Sequence, residues 1–234
     1  MPAIVNSVLT NKWTKIVVFL LCLSPAILLA LQLLSAIFGW QAFQGDVTAN
    51  PIEYFTHATG DWTLRFIVIT LAVTPLRKML HVPQLIRFRR MLGLFAFFYV
   101  CLHFTIWFAI DHFFNWHEMW GDVLKRRFIT VGFLGFVLLI PLAVTSTAGM
   151  IRRLGGKRWQ LLHRLIYVTA TLGVIHYYWL VKSDVRRPLA YGAIVAVLLA
   201  WRLGDWIYRR TRQPAARATV PRKQQAAAAE TETV

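Results

Sequence analysis

Apolar stretches of about 20 residues recur six times along this chain of 234 residues, and they restrict its fold more than any other feature. A helix of about 20 apolar residues crosses the hydrocarbon core of a bilayer. With 57% hydrophobic residues, the chain also has more apolar side chains than one soluble core of its size needs. We therefore expect an all-α integral membrane protein, a bundle of six transmembrane helices. The predicted spans lie near residues 16–38, 62–80, 91–110, 128–149, 159–181 and 189–208.

The Lys and Arg residues behind the formal net charge of +16 lie in short clusters between the apolar stretches. This pattern indicates membrane topology rather than a basic surface that binds nucleic acid. About 17 of the 26 Lys and Arg residues lie in every second connector and in the C-terminal tail, whereas the opposite connectors hold most of the acidic residues. Positively charged connectors stay on the cytosolic side. Both termini are therefore expected in the cytosol, with the bundle at residues 1–208. The basic tail, 209–234, is too rich in Pro, Ala, Gln and Thr to bury a core, and we expect it to be largely disordered.

The positions of the cysteines, glycines and lysines exclude several other kinds of site and segment. Cys22 and Cys101 both lie in apolar stretches, so they form neither a disulfide framework nor a Cys-rich metal site. No Gly-rich phosphate loop for a nicotinamide cofactor is present. The first apolar stretch follows Lys12 and Lys15 but is too long for a signal peptide, which favours a retained span.

The seven histidines divide into two groups. Those in predicted connectors are expected to be solvated and without a role: His57, His81, His112 and His117. Three others, His103, His163 and His176, lie within apolar spans, where a polar group needs a partner and an ionisable one is a functional candidate. The alternative is that they only form hydrogen bonds between packed helices.

Depth in the membrane decides which histidines can act together. His103 lies about 13 residues into the third predicted span and His176 about 17 residues into the fifth, so both fall in the outer half of the bilayer. Two imidazoles from different helices at one depth can bind a planar cofactor from its two faces, and haem fits an apolar bundle core. No third ligand for zinc stands beside them. Gly173, one turn before His176, leaves room for a macrocycle.

His163 lies only about one helical turn inside the cytosolic boundary. On a continuous helix it would be about 20 Å from His176 and point about 140° away, so the two cannot bind one iron. One site near each face of the membrane suggests a path for electrons across the bilayer.

Several segments resemble the ferric-reductase-like transmembrane family. They are TGDW at 59–62, RRMLGLFAFFYVCLH at 89–103, KRW at 157–159, LHRL at 162–165 and HYYW at 176–179. Within that family the chain is most similar to the haem-binding membrane subunits of bacterial periplasmic methionine sulfoxide reductase systems. The resemblance implies a b-type cytochrome of the bacterial inner membrane that passes electrons to a periplasmic molybdopterin enzyme, which repairs oxidised methionine in envelope proteins. It also implies that the quinone pool or a cytosolic flavin reductase supplies the electrons, and that FMN is bound.

Residue by residue, His103 and His176 match the family's haem ligands, and His163 matches its third histidine. The wider family often has a second histidine in the third helix, but residues 89–92 have none. His163 is therefore left with three alternatives: an inner haem with another sixth ligand such as Met91, a quinone, or a flavin. The candidate contacts for haem propionates or a flavin phosphate are Arg89, Arg90 and Arg164, which also fit the reading of ordinary cytosolic anchors.

The sequence thus favours an electron-transfer subunit without a substrate-transforming centre of its own. Two competing functions stay open at this stage. A self-sufficient haem ferric or quinone reductase would use the same ligands with another electron acceptor. A small ion or proton transporter would use the intramembrane histidines and Arg65, although the chain shows no inverted repeat.

Overall fold

In the computed structural model, residues 7–39, 47 and 50–218 are described, with side chains up to residue 211, and the secondary structure of this part is helical throughout. The nine α-helices that we number are α1 (Lys12–Phe38), α2 (Pro51–Met79), α3 (Ile86–Thr105), α4 (Trp116–Lys125), α5 (Arg127–Val144), α6 (Ala148–Leu154), α7 (Gly156–Leu162), α8 (Leu165–Leu180) and α9 (Arg186–Ala218). A 3-10 turn at Pro83–Leu85 precedes α3, and a π-helical turn at Ile106–Asp111 follows it.

Four helical segments are long and apolar enough to cross a membrane: Lys12–Phe38, Pro83–Asp111, Arg127–Val144 and Arg186–Thr211. They correspond to the first, third, fourth and sixth predicted spans. The fifth span corresponds to α8, which has 16 residues, and the second to the C-terminal part of α2. The expected multi-helix membrane architecture is therefore confirmed, while α2 and α8 do not meet the same criterion of length and composition.

At two places the helices differ from the predicted spans in where they begin or end, for identifiable reasons. Helix α2 begins at Pro51, eleven residues before the predicted span, because Asn50 caps it by accepting the Glu53 backbone N–H and proline suits the first helical position. His57 therefore lies on a helix and not in a connector. The fourth span ends at Val144 instead of residue 149, because the Thr145 hydroxyl and backbone N–H both bond to the Pro141 carbonyl and close the helix.

The fifth predicted span is also not one continuous helix. Helix α7 ends at Leu162 and α8 begins at Leu165, so His163 and Arg164 form a turn between them. The estimate of the distance between His163 and His176 assumed an unbroken helix, and that assumption is wrong. The two histidines nevertheless stay far apart along the chain, with His176 a little more than one turn before the end of α8.

Two helix pairs build the bundle. Helix α2 packs along α3, and α5 packs along α8; each pair then touches the other through α2 with α8 and α3 with α5. An aromatic cluster fills the contact of α2 with α3, where Phe66 stacks on Phe95 and Tyr99 with ring centroids 5.7 and 5.1 Å apart. Many apolar side chains face outward, such as Leu21 and Leu28 of α1, as expected for a surface in contact with lipid.

Helix α1 is attached to the bundle by one buried hydroxyl. Pro25 interrupts the backbone ladder of α1, and the fully buried Tyr99 of α3 inserts there. Its hydroxyl donates to the Cys22 carbonyl over 2.9 Å and accepts the Ala26 N–H over 3.0 Å. Two backbone groups that the helix would otherwise pair with each other are thus satisfied from a neighbouring helix.

The chain divides into two compact units, at residues 1–195 and 196–234. The first holds α1 to α8 and the start of α9. Within the second, Arg209 pairs with Asp205 over 3.1 Å and Arg210 stacks over Trp206 at 4.3 Å. Because α9 continues to Ala218, part of the tail expected to be disordered is helical; residues 219–234 lie outside the described part.

Tyr99→Phe is expected to lower stability by about 1–3 kcal/mol, because the Ala26 N–H and the Cys22 carbonyl lose the hydroxyl that bridges them in an apolar setting and can pair with each other only if α1 closes the gap between them. Tyr178→Phe is the matched control, since that side chain is 45% exposed. The measurement is the unfolding midpoint of the purified protein in mixed micelles with increasing denaturing detergent. Equal midpoints for Tyr99→Phe and Tyr178→Phe would contradict the role of the hydroxyl.

Candidate functional site

His103 and His176 meet across a cavity between the two helix pairs. His103 comes from α3 and His176 from α8, and their ring centroids are 6.1 Å apart with an interplanar angle of 83°. The cavity has a volume of about 1000 Å³. Both imidazoles line it, as does Gly173, so the structure brings together the three residues that depth and spacing predicted.

Each imidazole is held by a backbone carbonyl of the other helix in its own pair. His103 Nδ1 lies 2.9 Å from the Thr56 carbonyl of α2, and His176 Nδ1 lies 2.7 Å from the Phe128 carbonyl of α5. A carbonyl only accepts, so Nδ1 must carry the hydrogen in both rings. Nε2 then keeps its lone pair and is free to bind a metal, the arrangement usual for histidine ligands.

A glycine one turn after each carbonyl makes these contacts possible. A Cβ on Gly60 would lie 3.2 Å from the His103 ring, and a Cβ on Gly132 would lie 2.6 Å from His176 Nδ1. Because a helical side chain covers the turn before it, a residue with a Cβ at either position would shield the carbonyl four residues earlier. Gly60 and Gly132 thus expose the Thr56 and Phe128 carbonyls, respectively. Sequence reasoning missed both glycines, although Gly60 lies in the TGDW segment.

The residues present fit an iron porphyrin. Within the described ranges, no group of three or more His, Cys, Asp or Glu side chains could hold a metal ion, so the pair does not extend to a zinc site. An ion bound to one nitrogen of each ring at about 2 Å would separate the ring centroids by roughly 6 Å, the spacing seen here. Apolar side chains such as Leu64, Ile67 and Leu139 line the wall of the cavity and suit the flat apolar face of a macrocycle.

His163 belongs to a different cluster at the end of α5. Its Nε2 lies 3.1 Å from the Thr145 hydroxyl, and its ring stacks on Trp159 with centroids 4.0 Å apart. The Thr145 hydroxyl donates to the Pro141 carbonyl over 2.6 Å, so its oxygen accepts from His163. His163 therefore carries hydrogen on Nε2 and presents Nδ1, the reverse of the paired histidines.

The arginines proposed beside His163 differ in placement. Arg89 is half-buried and lies close enough to His163 for electrostatic interaction. Arg90 and Arg164 are exposed. Arg65 is the charged residue within the second predicted span. It lies 3.9 Å from Asp61, donates to the Tyr191 hydroxyl and stacks over Trp62. These three contacts explain how a cation is tolerated at that depth.

One connector histidine departs from the expectation of a solvated side chain. His112 is only 7% exposed, and its Nε2 lies 3.3 Å from the Asp122 carboxylate, while its Nδ1 faces the Trp107 carbonyl. Three tight local features produce this burial: the π-helical turn before His112, positive φ at Phe113 and Phe114, and the Asn115 cap of α4. His81 and His117 are exposed as expected, and His57 is exposed on α2 while lining the cavity.

Comparisons with known proteins give a family for the chain. The family model described as "Ferric reductase like transmembrane component" matches residues 59–174, a range that includes both glycines and His103, though not His176. No solved structure matches the chain.

Curated relatives cover most of the chain. A protein of Herminiimonas arsenicoxydans named "Protein-methionine-sulfoxide reductase heme-binding subunit MsrQ" is 61% identical over 164 residues, 69% of this chain and 75% of the relative. Proteins with the same name in Caulobacter vibrioides and Rhodospirillum rubrum are each 48% identical, over 83% and 86% of this chain and 87% and 92% of the respective relatives.

Gly132→Ala is expected to reduce the binding of a two-histidine, low-spin haem by roughly tenfold or more, the usual cost of disturbing a ligand's support. The added Cβ would displace His176 from the Phe128 carbonyl. Gly60→Ala should have a smaller effect, since its contact is longer. Gly93→Ala is the control, because its nearest neighbour would be 3.7 Å away. Visible and electron paramagnetic resonance spectra per mole of protein measure the result, and full low-spin haem in Gly132→Ala would refute the role of the glycine.

Proposed function

This chain belongs to the MsrQ family of haem-binding subunits of protein-methionine-sulfoxide reductases, and from that premise we propose that it is the membrane electron-transfer subunit of such a system. The observation that carries the proposal is the pair of imidazoles, His103 and His176, with Nε2 of each free toward one cavity. The reduction that the system performs takes two electrons and two protons per sulfoxide and releases water. The chain supplies the electrons to a periplasmic molybdopterin-containing methionine sulfoxide reductase, which is its partner.

Haem b is the cofactor that we assign to the paired histidines, and it supplies reversible one-electron chemistry at iron. His103 and His176 would hold its iron through their Nε2 atoms. The Thr56 and Phe128 carbonyls hold each ring in one tautomer and orientation, and the apolar wall excludes water from the ligand bonds. No residue of this site is assigned a role in transforming the sulfoxide itself.

The membrane topology that we propose has six crossings in the bacterial inner membrane, with both termini in the cytosol. In this arrangement residues 1–208 form the transmembrane domain, and 209–234 form a basic cytosolic tail. The proposal rests on the four long apolar helices, on α2 and α8 between them, and on the alternation of basic and acidic connectors. The acidic segments between the predicted spans, including residues 50–61 at the start of α2 and residues 111–127, would then face the periplasm, where the reductase docks.

Electrons enter, in this proposal, near His163 at the cytosolic face. Nδ1 of His163 is the nitrogen left to accept a hydrogen bond, and Arg89 lies nearby with a permanent positive charge. A donor that carries a hydroxyl or an N–H can donate to Nδ1, as a quinol can, and so can FMN, whether it belongs to a flavin reductase or is bound to this chain. The phosphate of FMN would in addition suit the charge of Arg89. An inner haem held by His163 is the remaining candidate. Arg90 and Arg164 would add positive charge for a propionate or phosphate.

The competing functions have less support. A transporter would need a path for ions, whereas both paired histidines line one cavity with their rings 6.1 Å apart, and the relatives are named haem-binding subunits. A self-sufficient ferric or quinone reductase would share the haem site and differ only in its acceptor, and the names of the relatives favour the methionine sulfoxide reductase system.

His103→Ala and His176→Ala are each expected to abolish low-spin haem at the paired site, because each removes one axial ligand where no substitute is near. His57→Ala and His117→Ala should leave the spectrum unchanged, since neither ring is part of the pair. The measurement is the visible spectrum of the purified protein, oxidised and reduced. A six-coordinate spectrum of normal intensity in His103→Ala would show that the ligand pair is wrong.

His163→Ala is expected to slow reduction of the paired-site haem by the physiological donor roughly tenfold or more, because it removes the proposed contact of the donor. The ligation by His103 and His176 should remain. Arg89→Ala or Arg90→Ala should slow the same step less, since each leaves other positive charges in place. Stopped-flow reduction in membranes measures the rate, with dithionite as the control for haem content. If the physiological donor reduced the haem of His163→Ala at an unchanged rate, His163 would have only a structural role.

A further inference from the structure

The cavity of the paired histidines has two chemically different ends. Further along α2 and α5 from the carbonyls that hold the imidazoles, its wall is apolar, with Leu64, Ile67 and Leu139. At the mouth, where α2 begins and α5 begins, the lining residues carry charge: Glu53, His57, Asp61, Asp111, Arg126 and Arg187. A planar ligand that is apolar except along one edge can occupy this cavity in only one direction, because burying carboxylates among aliphatic side chains costs several kcal/mol.

Two permanent cations stand at that mouth among the described lining residues. Arg126 precedes α5 and pairs through Nε with Asp122 over 3.2 Å. Arg187 is the second residue of α9, and its Nη1 lies 3.9 Å from the Asp61 carboxylate. A guanidinium has five N–H donors, so neither contact uses more than part of its capacity. Both side chains are mostly exposed, at 58% and 75% of their surface, and can turn toward a ligand.

Each arginine is also linked along the chain to one histidine support. Arg126 is two residues before Phe128, whose carbonyl holds His176. Asp61, the partner of Arg187, follows Gly60, against which the His103 ring packs. Each cation is therefore connected, through the chain or an ion pair, to a residue next to one of the two imidazoles.

We propose that Arg126 and Arg187 bind the two propionate groups of the haem, which thereby enters with its carboxylates toward the mouth. The inference rests on the proposed function, since it requires haem at the paired histidines. It assigns propionate binding at this site to residues other than Arg89, Arg90 and Arg164. Bidentate contacts between guanidinium and carboxylate are the strong form of this interaction.

The acidic side chains at the mouth make the two arginines necessary. Glu53, Asp61 and Asp111 all line it, and Asp61 is shared between Arg65 and Arg187. If either arginine lost its charge, these carboxylates would repel the propionates with less compensation. His57 is the other basic group at the mouth, and it is exposed on α2.

The chain supplies a matched control beside each arginine. Arg127 follows Arg126 and Arg186 precedes Arg187; both are exposed, and neither lines the cavity. The experiment compares Arg126→Gln, Arg187→Gln and their double variant with Arg127→Gln and Arg186→Gln. Full-length protein in detergent is reconstituted with haem b, and the rate of haem transfer to excess apomyoglobin is measured at low ionic strength, where the charges of exposed groups are least screened.

We expect severalfold faster haem loss for each cavity-lining substitution and about tenfold or more for the double variant, while the low-spin spectrum persists before transfer. The control substitutions should not change the rate. Reconstitution with the dimethyl ester of haem, which has no carboxylates, should abolish the difference between the double variant and the unmodified chain.

Three results would overturn the proposal. Equal rates in all variants would show that the arginines do not hold the propionates. If Arg127→Gln and Arg186→Gln accelerated haem loss equally, the cause would be the overall charge of the protein. If the double variant lost the dimethyl ester of haem equally fast, the cause would be a change in the packing of the protein and not the loss of contacts with the propionates. A chain that binds no haem in its unmodified form would instead refute the proposed function, so the two failures are distinguishable.

Discussion

The hydrogen bond between an imidazole and a helix carbonyl is the interaction on which the site depends. A histidine in an apolar bundle must give its N–H to some acceptor, and the carbonyls of neighbouring helices are the acceptors present everywhere. They are usually covered by the side chain one turn later. Gly60 and Gly132 remove that cover at two places, and His103 and His176 use them in the same way. The same device, used twice, leaves two Nε2 lone pairs aimed at one cavity.

Each of these hydrogen bonds lies within one helix pair. His103 of α3 uses a carbonyl of α2, and His176 of α8 uses one of α5, and the most extensive helix packing occurs within the same pairs. The two pairs meet at the histidines and leave the cavity between them. Helix α1 lies outside this arrangement and is joined to α3 through the Tyr99 hydroxyl, one turn before His103. A single face of α3 therefore carries both the ligand and the attachment of α1.

The sequence predicted the features that follow from hydrophobicity and depth. It predicted the helical membrane class, and it paired His103 with His176 because both lie at one depth on helices that run in the same direction. It did not predict what depends on tertiary contacts. Helix α2 starts early because of a local cap, the fifth span breaks at His163, and His112 is buried by a turn with positive φ at two residues. Gly60 and Gly132 were not found, since a glycine facing lipid and a glycine facing an imidazole look alike in one sequence.

The paired histidines and His163 differ in how strictly their hydrogen-bond acceptors fix the tautomer of the imidazole. At the paired site the acceptors are backbone carbonyls within helices, which cannot donate and cannot rotate, so the tautomer of each ring is fixed. Such a site suits a resident cofactor. At His163 the acceptor is the Thr145 hydroxyl, which can exchange the roles of donor and acceptor if it releases the Pro141 carbonyl. A change of tautomer would then leave Nε2 accepting from the Thr145 hydroxyl and turn the exposed Nδ1 from an acceptor into a donor. A site whose proton position can change suits a partner that arrives, gives up electrons and protons, and leaves.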